Sequence, residues 1–191
     1  GENGLAQTLA SKMNGVAYDG SFANSYLAMV NYPYQDTYKP DAFSLYQVVS
    51  AICTGDYSLL ENYAATVGTT EVETVNMLKS LDYTKVDMLI IMYDLNDYIA
   101  GRALYNPLVK NDTATWTGSL NASLEMIEQT YPHIRTVILS TPASGATVNG
   151  TYIDGDTVNL GSGTIPDYLN YQVSVAMENG VSFIDNYYGV I

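Results

Sequence analysis

An apolar run of strand length, Val86 to Met92, ends in the polar stretch Asp94-Leu95-Asn96-Asp97, and this feature constrains the chain most strongly. Two more apolar runs follow, Thr136–Leu139 and Val181–Ile184, each separated from the previous run by segments with helical periodicity. Nearly continuous apolar runs are typical of strands buried on both faces, and parallel strands need long crossover connections. The alternation therefore predicts an α/β fold with three layers, α/β/α, in which helices cover both faces of a central parallel sheet.

The predicted helices follow from apolar spacing and from start and stop signals. Leu120, Leu124 and Ile127 form one stripe of a helix over 117–131, which Pro132 ends. Cys53 falls in a helix that Asp41 would cap and Gly55 would stop, where we expect it to be inert packing. By the same criteria, helices are expected over 3–13, 57–66, 70–80 and from Pro166 to about Asn179.

One segment interrupts this alternation. Residues 144–163, rich in Gly, Thr, Asn and Asp, are predicted to form a loop excursion, with a hairpin around Asn149-Gly150. Asp154, Asp156 and Asn159 depart from the spacing of a calcium-binding loop, so no metal site is predicted there. Otherwise residues 1–191 are expected to form one domain, incomplete at both ends, because the chain starts at a helix and stops after a strand.

Composition narrows the classes of partner. The net charge is −13 with only 7 Lys and Arg residues, which argues against nucleic acid because phosphate binding needs clustered cations. No stretch is long and apolar enough to insert across a membrane. Charged residues make up 14% of the chain and there are 18 tyrosines, a surface that suits carbohydrates. The acidic, lysine-poor composition favours an extracellular or cell-surface bacterial protein; the oligomeric state is left open.

Two blocks of the sequence resemble a known family. Val86 to Tyr98, followed by Tyr131 to Pro142, is similar to the middle of an SGNH/GDSL hydrolase, and the likeness extends through most of the chain. That family has a flavodoxin-like sheet and cleaves esters by serine acyl transfer. Its motifs are Gly-Asp-Ser, a glycine after the second strand, Gly-x-Asn-Asp after the third strand, and a C-terminal Asp-x-x-His. The resemblance implies a small-molecule or carbohydrate ester as substrate and no cofactor.

The resemblance assigns roles to residues at two turns. Asn96 matches the asparagine of the oxyanion hole, and Asp94 stands where the family usually has glycine. The glycine of the second block would fall at Ala23 or Asn24, and Asn24 is favoured as a backbone donor because asparagine tolerates a positive φ. The residues expected to line the substrate site are Asp94, Asp97, Ala23 and Ser25. Without the resemblance, the favoured interpretation of Asn96 and Asp97 is that they cap a helix or form the turn after the strand.

The parts that would attack an ester are not found in this sequence. The family's serine should precede the first helix and its histidine should follow the last strand. Ser21 and Ser25 have no histidine nearby, and the single histidine, His133, precedes a strand and should lie at the opposite edge of the sheet. The 191-residue chain by itself is therefore predicted to be inactive, and a non-catalytic binding domain, directed to carbohydrate, is the alternative hypothesis.

Overall fold

The computed structural model describes residues 42–93, 95–142 and 145–189, together with residues 8, 11 and 12. These residues form an α/β fold, as the sequence predicts, in which helices alternate with a parallel sheet. The helices are α1 (Leu45–Thr54), α2 (Ser58–Val67), α3 (Thr69–Ser80), α4 (Leu95–Ile99), α5 (Trp116–Thr130) and α6 (Ile165–Glu178). The strands are β1 (Met88–Ile91), β2 (Arg135–Leu139), β3 (Gly145–Val148), β4 (Thr151–Asp154) and β5 (Ser182–Ile184).

Three parallel strands form the main sheet in the order β1-β2-β5. Ile91 pairs with Ile138, and Leu139 pairs with Ile184, so all three strands end at the same edge. We call this edge, with the residues that directly follow each strand, the carboxyl rim. The opposite edge, where the strands begin, is the amino rim. Since α5 and α6 each lead from the end of one parallel strand to the start of the next, both helices run from the carboxyl rim to the amino rim.

Burial differs between the first two strands of the sheet. The four residues Thr136–Leu139 of β2 are all buried, as their apolar run predicts. The expectation that β1 would be buried on both faces is wrong at its start, where Met88 is 49% exposed. Within the described residues β1 pairs with β2 alone, so no second strand shields its other side.

The main core lies between the sheet and helices α1, α5 and α6. The predicted stripe Leu120, Leu124 and Ile127 of α5 is buried against the sheet residues Ile91 and Ile138. At the start of α5, the indole N–H of the fully buried Trp116 donates to the carbonyl of Tyr168 at 3.2 Å. This bond satisfies the indole inside the core and fixes the first turn of α5 against α6.

A second, helical core is formed by α1, α2 and α3. Its buried residues include Phe43, Leu60 and Val75, and Phe43 meets Tyr63 edge to face with ring centroids 4.8 Å apart. The cap of α1 is Ser44, whose hydroxyl accepts from the Gln47 N–H at 3.3 Å. Asp41, the cap expected from sequence, lies outside the described residues, and the helix begins four positions after it.

The excursion contains an antiparallel β3–β4 hairpin. Its turn is Asn149-Gly150, with φ of 50° and 79°, a pair of positive values that gives strands the twist of a two-residue hairpin. After it, Thr164 and Asp167 form a reciprocal capping box that starts α6. Among the described residues, no helix is long and apolar enough to cross a membrane.

Candidate functional site at the carboxyl rim

The short helix α4 places Asn96 at the carboxyl rim, three residues after the buried Tyr93. Asn96 is exposed, whereas its neighbours Asp97 and Tyr98 are 0% and 1% exposed. The helix closes with the Ala100 N–H donating to the Asn96 carbonyl at 3.0 Å and the Arg102 N–H to the Asp97 carbonyl at 2.9 Å. Successive helical positions point in different directions, so α4 buries Asp97 and Tyr98 and presents Asn96 and Ile99 to solvent.

Two tyrosine hydroxyls fix α4 in place. Tyr98 donates to the carbonyl of Val158 in the excursion at 2.8 Å. Tyr168 of α6 donates to the carbonyl of Arg102 at 2.5 Å and lies 3.5 Å from the carbonyl of Asp97. The two rings meet edge to face, with centroids 6.2 Å apart. Asn96 is therefore presented on a backbone that is held from two sides.

Tyr93, two residues after β1, and Asp97 share a buried environment. The Tyr93 side chain is 8% exposed, and its hydroxyl donates to the Phe43 carbonyl at 3.4 Å. Burial raises the pKa of the Tyr93 phenol, and the nearby charge of Asp97 raises it further. The phenol therefore stays a hydrogen-bond donor throughout the physiological pH range, and the polar pair belongs to the interior of the rim.

The ends of β2 and β5 are joined by Ser140, a rim residue that sequence reasoning did not select. Its hydroxyl oxygen accepts from the Asn186 N–H at 2.7 Å and the Tyr187 N–H at 3.2 Å, and lies 3.4 Å from the carboxylate of Asp185. Ser140 is completely buried. A hydroxyl that is buried and bonded in this way ties two strands together and is poorly placed to attack a substrate. Its only sequence signal is that it directly follows an apolar strand.

A further tyrosine connects the rim with the excursion. The Tyr187 hydroxyl donates to the carboxylate of Asp156, and the Tyr187 side chain is only 6% exposed. Burial raises the pKa of this phenol, and its bond to Asp156 raises it too, because ionisation would set two anions against each other. The sequence singled out Asp156 only as a calcium candidate, whereas it holds the segment after β5.

The structure brings together two of the six site residues that were predicted. Asn96 and Asp97 lie together on α4 at the carboxyl rim. The remaining predicted site residues, Asn24, Ala23, Ser25 and Asp94, lie outside the described residues, as does the alternative nucleophile Ser21. Asn96 is the exposed member of the pair, and so it is the side chain that a ligand at the rim could contact.

Comparison with known proteins bears on the fold. No family model and no curated protein matches the chain. One solved crystal structure is 18% identical over 60% of this chain and 51% of its own, with a TM-score of 0.50. A protein from Lactobacillus plantarum is 18% identical over 58% of this chain and 51% of its own, with a TM-score of 0.47. A possible lipase from Chitinophaga pinensis DSM 2588 is 18% identical over 53% of this chain and 42% of its own, with a TM-score of 0.45.

This chain spans about half the length of the solved structures that it resembles. At 18% identity the first likeness concerns the fold alone, and it agrees with the α/β architecture. The neighbours include a possible lipase, a description that belongs to that protein.

His133 lies at the amino rim, where its position before β2 predicts it. Its Nε2 is 3.2 Å from the Tyr83 carbonyl oxygen, and since a carbonyl can only accept, Nε2 carries the proton. His133 and Arg135 line a cavity of about 540 Å³, together with Asn179 and Ser182. The five residues of β2, which span about 16 Å, separate this cavity from the carboxyl rim.

No His, Cys, Asp or Glu cluster in the described part of the chain could hold a metal ion.

Proposed function

We propose that this chain is the central part of an SGNH/GDSL-type serine ester hydrolase, and that Asn96 donates a hydrogen bond to the oxyanion. The observation that carries this proposal is the exposed position of Asn96 on the anchored helix α4, beyond the carboxyl end of β1. Ligands of open α/β sheets bind beyond the carboxyl ends of the strands. An amide held there can point at a reacting carbonyl group.

The chemistry gives Asn96 a defined task. Ester cleavage by a serine passes through a tetrahedral intermediate with a negatively charged oxygen. One preorganised N–H donor to that oxygen contributes about 2.7–4 kcal/mol to the transition state. The bonds from Tyr98 and Tyr168 to the backbone around α4 supply that preorganisation, because they fix the main chain that carries Asn96.

Asp97 is proposed to act through its buried position on α4. It was predicted to line the substrate site, and its side chain is completely buried beside Tyr93. Its role in the proposal is therefore to hold α4 in the orientation that exposes Asn96. The second oxyanion donor is proposed to be the backbone N–H of Asn24 or Ala23, and Ser25 and Asp94 are proposed substrate contacts; all four residues lie outside the described residues.

The nucleophile and the base are not assigned to residues of this chain. His133 is separated from Asn96 by the length of the sheet and is bonded to Tyr83. We therefore expect the 191-residue polypeptide to hydrolyse p-nitrophenyl acetate no faster than a serine-free control protein. Saturable turnover that disappears when Ser21 or Ser25 is replaced by alanine would contradict the assignment.

Binding of an oxyanion analogue tests the role of Asn96 without requiring turnover. Butylphosphonate carries tetrahedral anionic oxygens, and adding it should shift the side-chain amide NMR signals of Asn96 in a saturable way. The variant Asn96→Ala should lose most of this binding, whereas Asn170→Ala, which removes an exposed asparagine from α6, should keep it. Equal binding by both variants would rule out Asn96 as the donor.

The reading frame around these 191 codons provides an independent test. A Gly-Asp-Ser stretch upstream and an Asp-x-x-His stretch downstream would support the hydrolase. In a product with both, Asn96→Ala should lower kcat by about 10²–10³-fold with a smaller change in KM. The absence of both stretches would exclude the enzyme.

One observation favours a second candidate, a non-catalytic binding domain of the same fold, directed to carbohydrate. The chain's single histidine makes its hydrogen bond at the amino rim, away from Asn96. Phosphonate binding by a product without the two flanking stretches would favour this candidate over the hydrolase.

A further inference from the structure

The connection between α4 and α5 presents an apolar tip to solvent. Leu108 is 91% exposed and Val109 is 51% exposed, and Pro107 beside them is also exposed. We call these three residues the apolar tip. At its base Tyr105, 51% exposed, stacks on Tyr171 of α6 with ring centroids 5.2 Å apart. Apolar side chains this exposed are unusual when they are contiguous.

Hydrogen bonds hold the connection in one shape. The Leu108 N–H donates to the Asn106 side-chain oxygen at 3.0 Å, and the Asn106 amide donates to the Asp112 carboxylate at 2.7 Å. The Asp112 N–H donates to the Val109 carbonyl at 3.2 Å. The exposure of Leu108 is therefore built into the loop, because the backbone on both sides of it is bonded.

The topology places the apolar tip at the carboxyl rim. The connection starts at the end of α4, which carries Asn96, and finishes at Trp116, where α5 sets out toward the amino rim. The Trp116 and Thr117 N–H groups donate to the carbonyls of Ala103 and Leu104, each at 2.9 Å, which fastens the base of the loop to the start of α5. The tip and Asn96 thus belong to the same edge of the sheet.

The size and charge of this surface indicate what it contacts. A stable protein interface takes about 20–30 residues from each partner, far more than the tip offers. A lipid surface needs only a few protruding apolar side chains, and tyrosine is favoured where hydrocarbon meets water. The chain carries a net charge of −13, so an anionic surface would repel it. The partner that fits is therefore a lipid surface without net charge.

We propose that the apolar tip rests peripherally on a neutral lipid–water interface, with Tyr105 at headgroup level. The contact itself is independent of the proposed function. Its consequence for substrate rests on that function: the ester presented to Asn96 comes from the lipid surface, in place of the small-molecule or carbohydrate ester that the family resemblance implies.

Cosedimentation with phosphatidylcholine vesicles tests the contact. The wild-type chain should partition onto these vesicles, and Leu108→Asp should lower the partition coefficient about tenfold or more. Leu108→Met should retain binding. The matched control is Met177→Asp, because Met177 is 77% exposed but lies at the end of α6 near the amino rim, and it should bind like wild type. Vesicles rich in phosphatidylglycerol should bind less of the protein at low salt.

Several outcomes would overturn the proposal. One is a wild-type chain that stays in the supernatant. Another is an equal loss of vesicle binding in Leu108→Asp and Met177→Asp. A third is stronger binding to anionic vesicles than to phosphatidylcholine vesicles. Self-association without lipid that Leu108→Asp abolishes would identify the tip as a contact between copies, which also overturns it. Far-UV circular dichroism of Leu108→Asp, and a second variant, Leu108→Ser, separate lost binding from lost folding.

Failure of this inference is distinguishable from failure of the proposed function. Asn96→Ala should leave vesicle binding unchanged, whereas Leu108→Asp should leave the phosphonate-induced shifts of Asn96 unchanged. Vesicle binding without phosphonate binding would overturn only the oxyanion role, and the reverse result would overturn only the lipid contact.

Discussion

The hydroxyl of Tyr98 donates a 2.8 Å hydrogen bond to the carbonyl of Val158 and thereby joins α4 to the excursion after β4. Ser162 makes a second link, from its hydroxyl to the Gly101 carbonyl at 3.0 Å. The helix that carries the proposed oxyanion donor and the loop that follows the hairpin are therefore one hydrogen-bonded unit. A substitution that displaces one segment should therefore also displace the other.

Tyr98→Phe tests this connection. The variant keeps the ring and removes one hydrogen bond whose acceptor is backbone, so the free energy of unfolding should fall by about 1 kcal/mol. Urea unfolding followed by circular dichroism measures the change. Tyr152→Phe is the matched control, because Tyr152 is 69% exposed on β4, and it should lie within about 0.5 kcal/mol of wild type. If Tyr152→Phe lowered the free energy of unfolding as much as Tyr98→Phe, a specific role for this hydrogen bond would be contradicted.

Gly101→Ala tests the close approach of the same two segments. A Cβ at Gly101 would lie 2.6 Å from the Leu160 carbonyl oxygen, and Gly101 has a φ of 61°. Backbone strain and the clash together should lower the free energy of unfolding by about 3 kcal/mol. Gly55→Ala isolates the strain, since Gly55 has a φ of 75° and no atom within 4 Å of its Cβ position; about 1 kcal/mol is expected there. Equal losses in urea unfolding would show that the contact is unimportant.

Local patterns were enough to predict the framework of this fold. The apolar run Thr136–Leu139 predicts β2, and the apolar stripe that includes Leu124 predicts α5. Asn149-Gly150 predicts a turn because both residues tolerate positive φ. Each of these signals lies within a few residues of the structure it specifies. That is why the class of fold and most helix boundaries followed from sequence alone.

The contacts within the rim could not be predicted in the same way. Ser140 and Asp185 meet across 45 positions, and Tyr98 reaches its acceptor across 60. A hydroxyl or carboxylate has many possible partners at such separations, and only the packed sheet and the excursion select one. For the same reason the burial of Asp97 beside exposed Asn96 was not apparent from the Asn-Asp pair.

Gln172→Met should stabilise the protein. Gln172 of α6 is completely buried, and neither atom of its amide has a hydrogen-bond partner among the described residues. Replacing the amide by an apolar chain of similar length removes a desolvation cost of about 1–3 kcal/mol, and the free energy of unfolding should rise by a comparable amount. Gln129→Met, at an exposed position of α5, is the control and should change stability by less than about 0.5 kcal/mol. A loss of stability in Gln172→Met would mean that the amide is satisfied in solution.

Cys53 should react slowly with thiol reagents. It is half-buried on α1, its Sγ lies 3.7 Å from the Met126 carbonyl, and burial raises the pKa of the thiol. Since the thiolate is the reactive form, modification by dithionitrobenzoate at pH 8 should be at least about tenfold slower in the native protein than in urea. The unfolded chain is an internal control because it contains the same single thiol. Equal rates in the two states would contradict the protected position.

The stability of the protein should fall at alkaline pH, and Tyr93 should account for a measurable part of the fall. Folding raises the pKa of Tyr93 because its phenol is buried and lies near Asp97. The folded state therefore holds this proton to higher pH than the unfolded chain, whose tyrosines titrate near pH 10. The stability contribution is fully present below about pH 10 and is lost as the pH rises above it.

Tyr93→Phe removes this titration, so its stability relative to wild type should depend on pH. At pH 8 the variant should be less stable by about 1 kcal/mol, because the hydrogen bond to the Phe43 carbonyl is gone. At pH 11 the unfolded wild-type chain gains about 1.4 kcal/mol from ionising Tyr93, a gain that the variant lacks, and the difference should vanish or reverse. Urea unfolding of both proteins at the two pH values measures it. A difference that stays constant would show that the Tyr93 phenol ionises as readily in the folded as in the unfolded protein, which its burial beside Asp97 argues against.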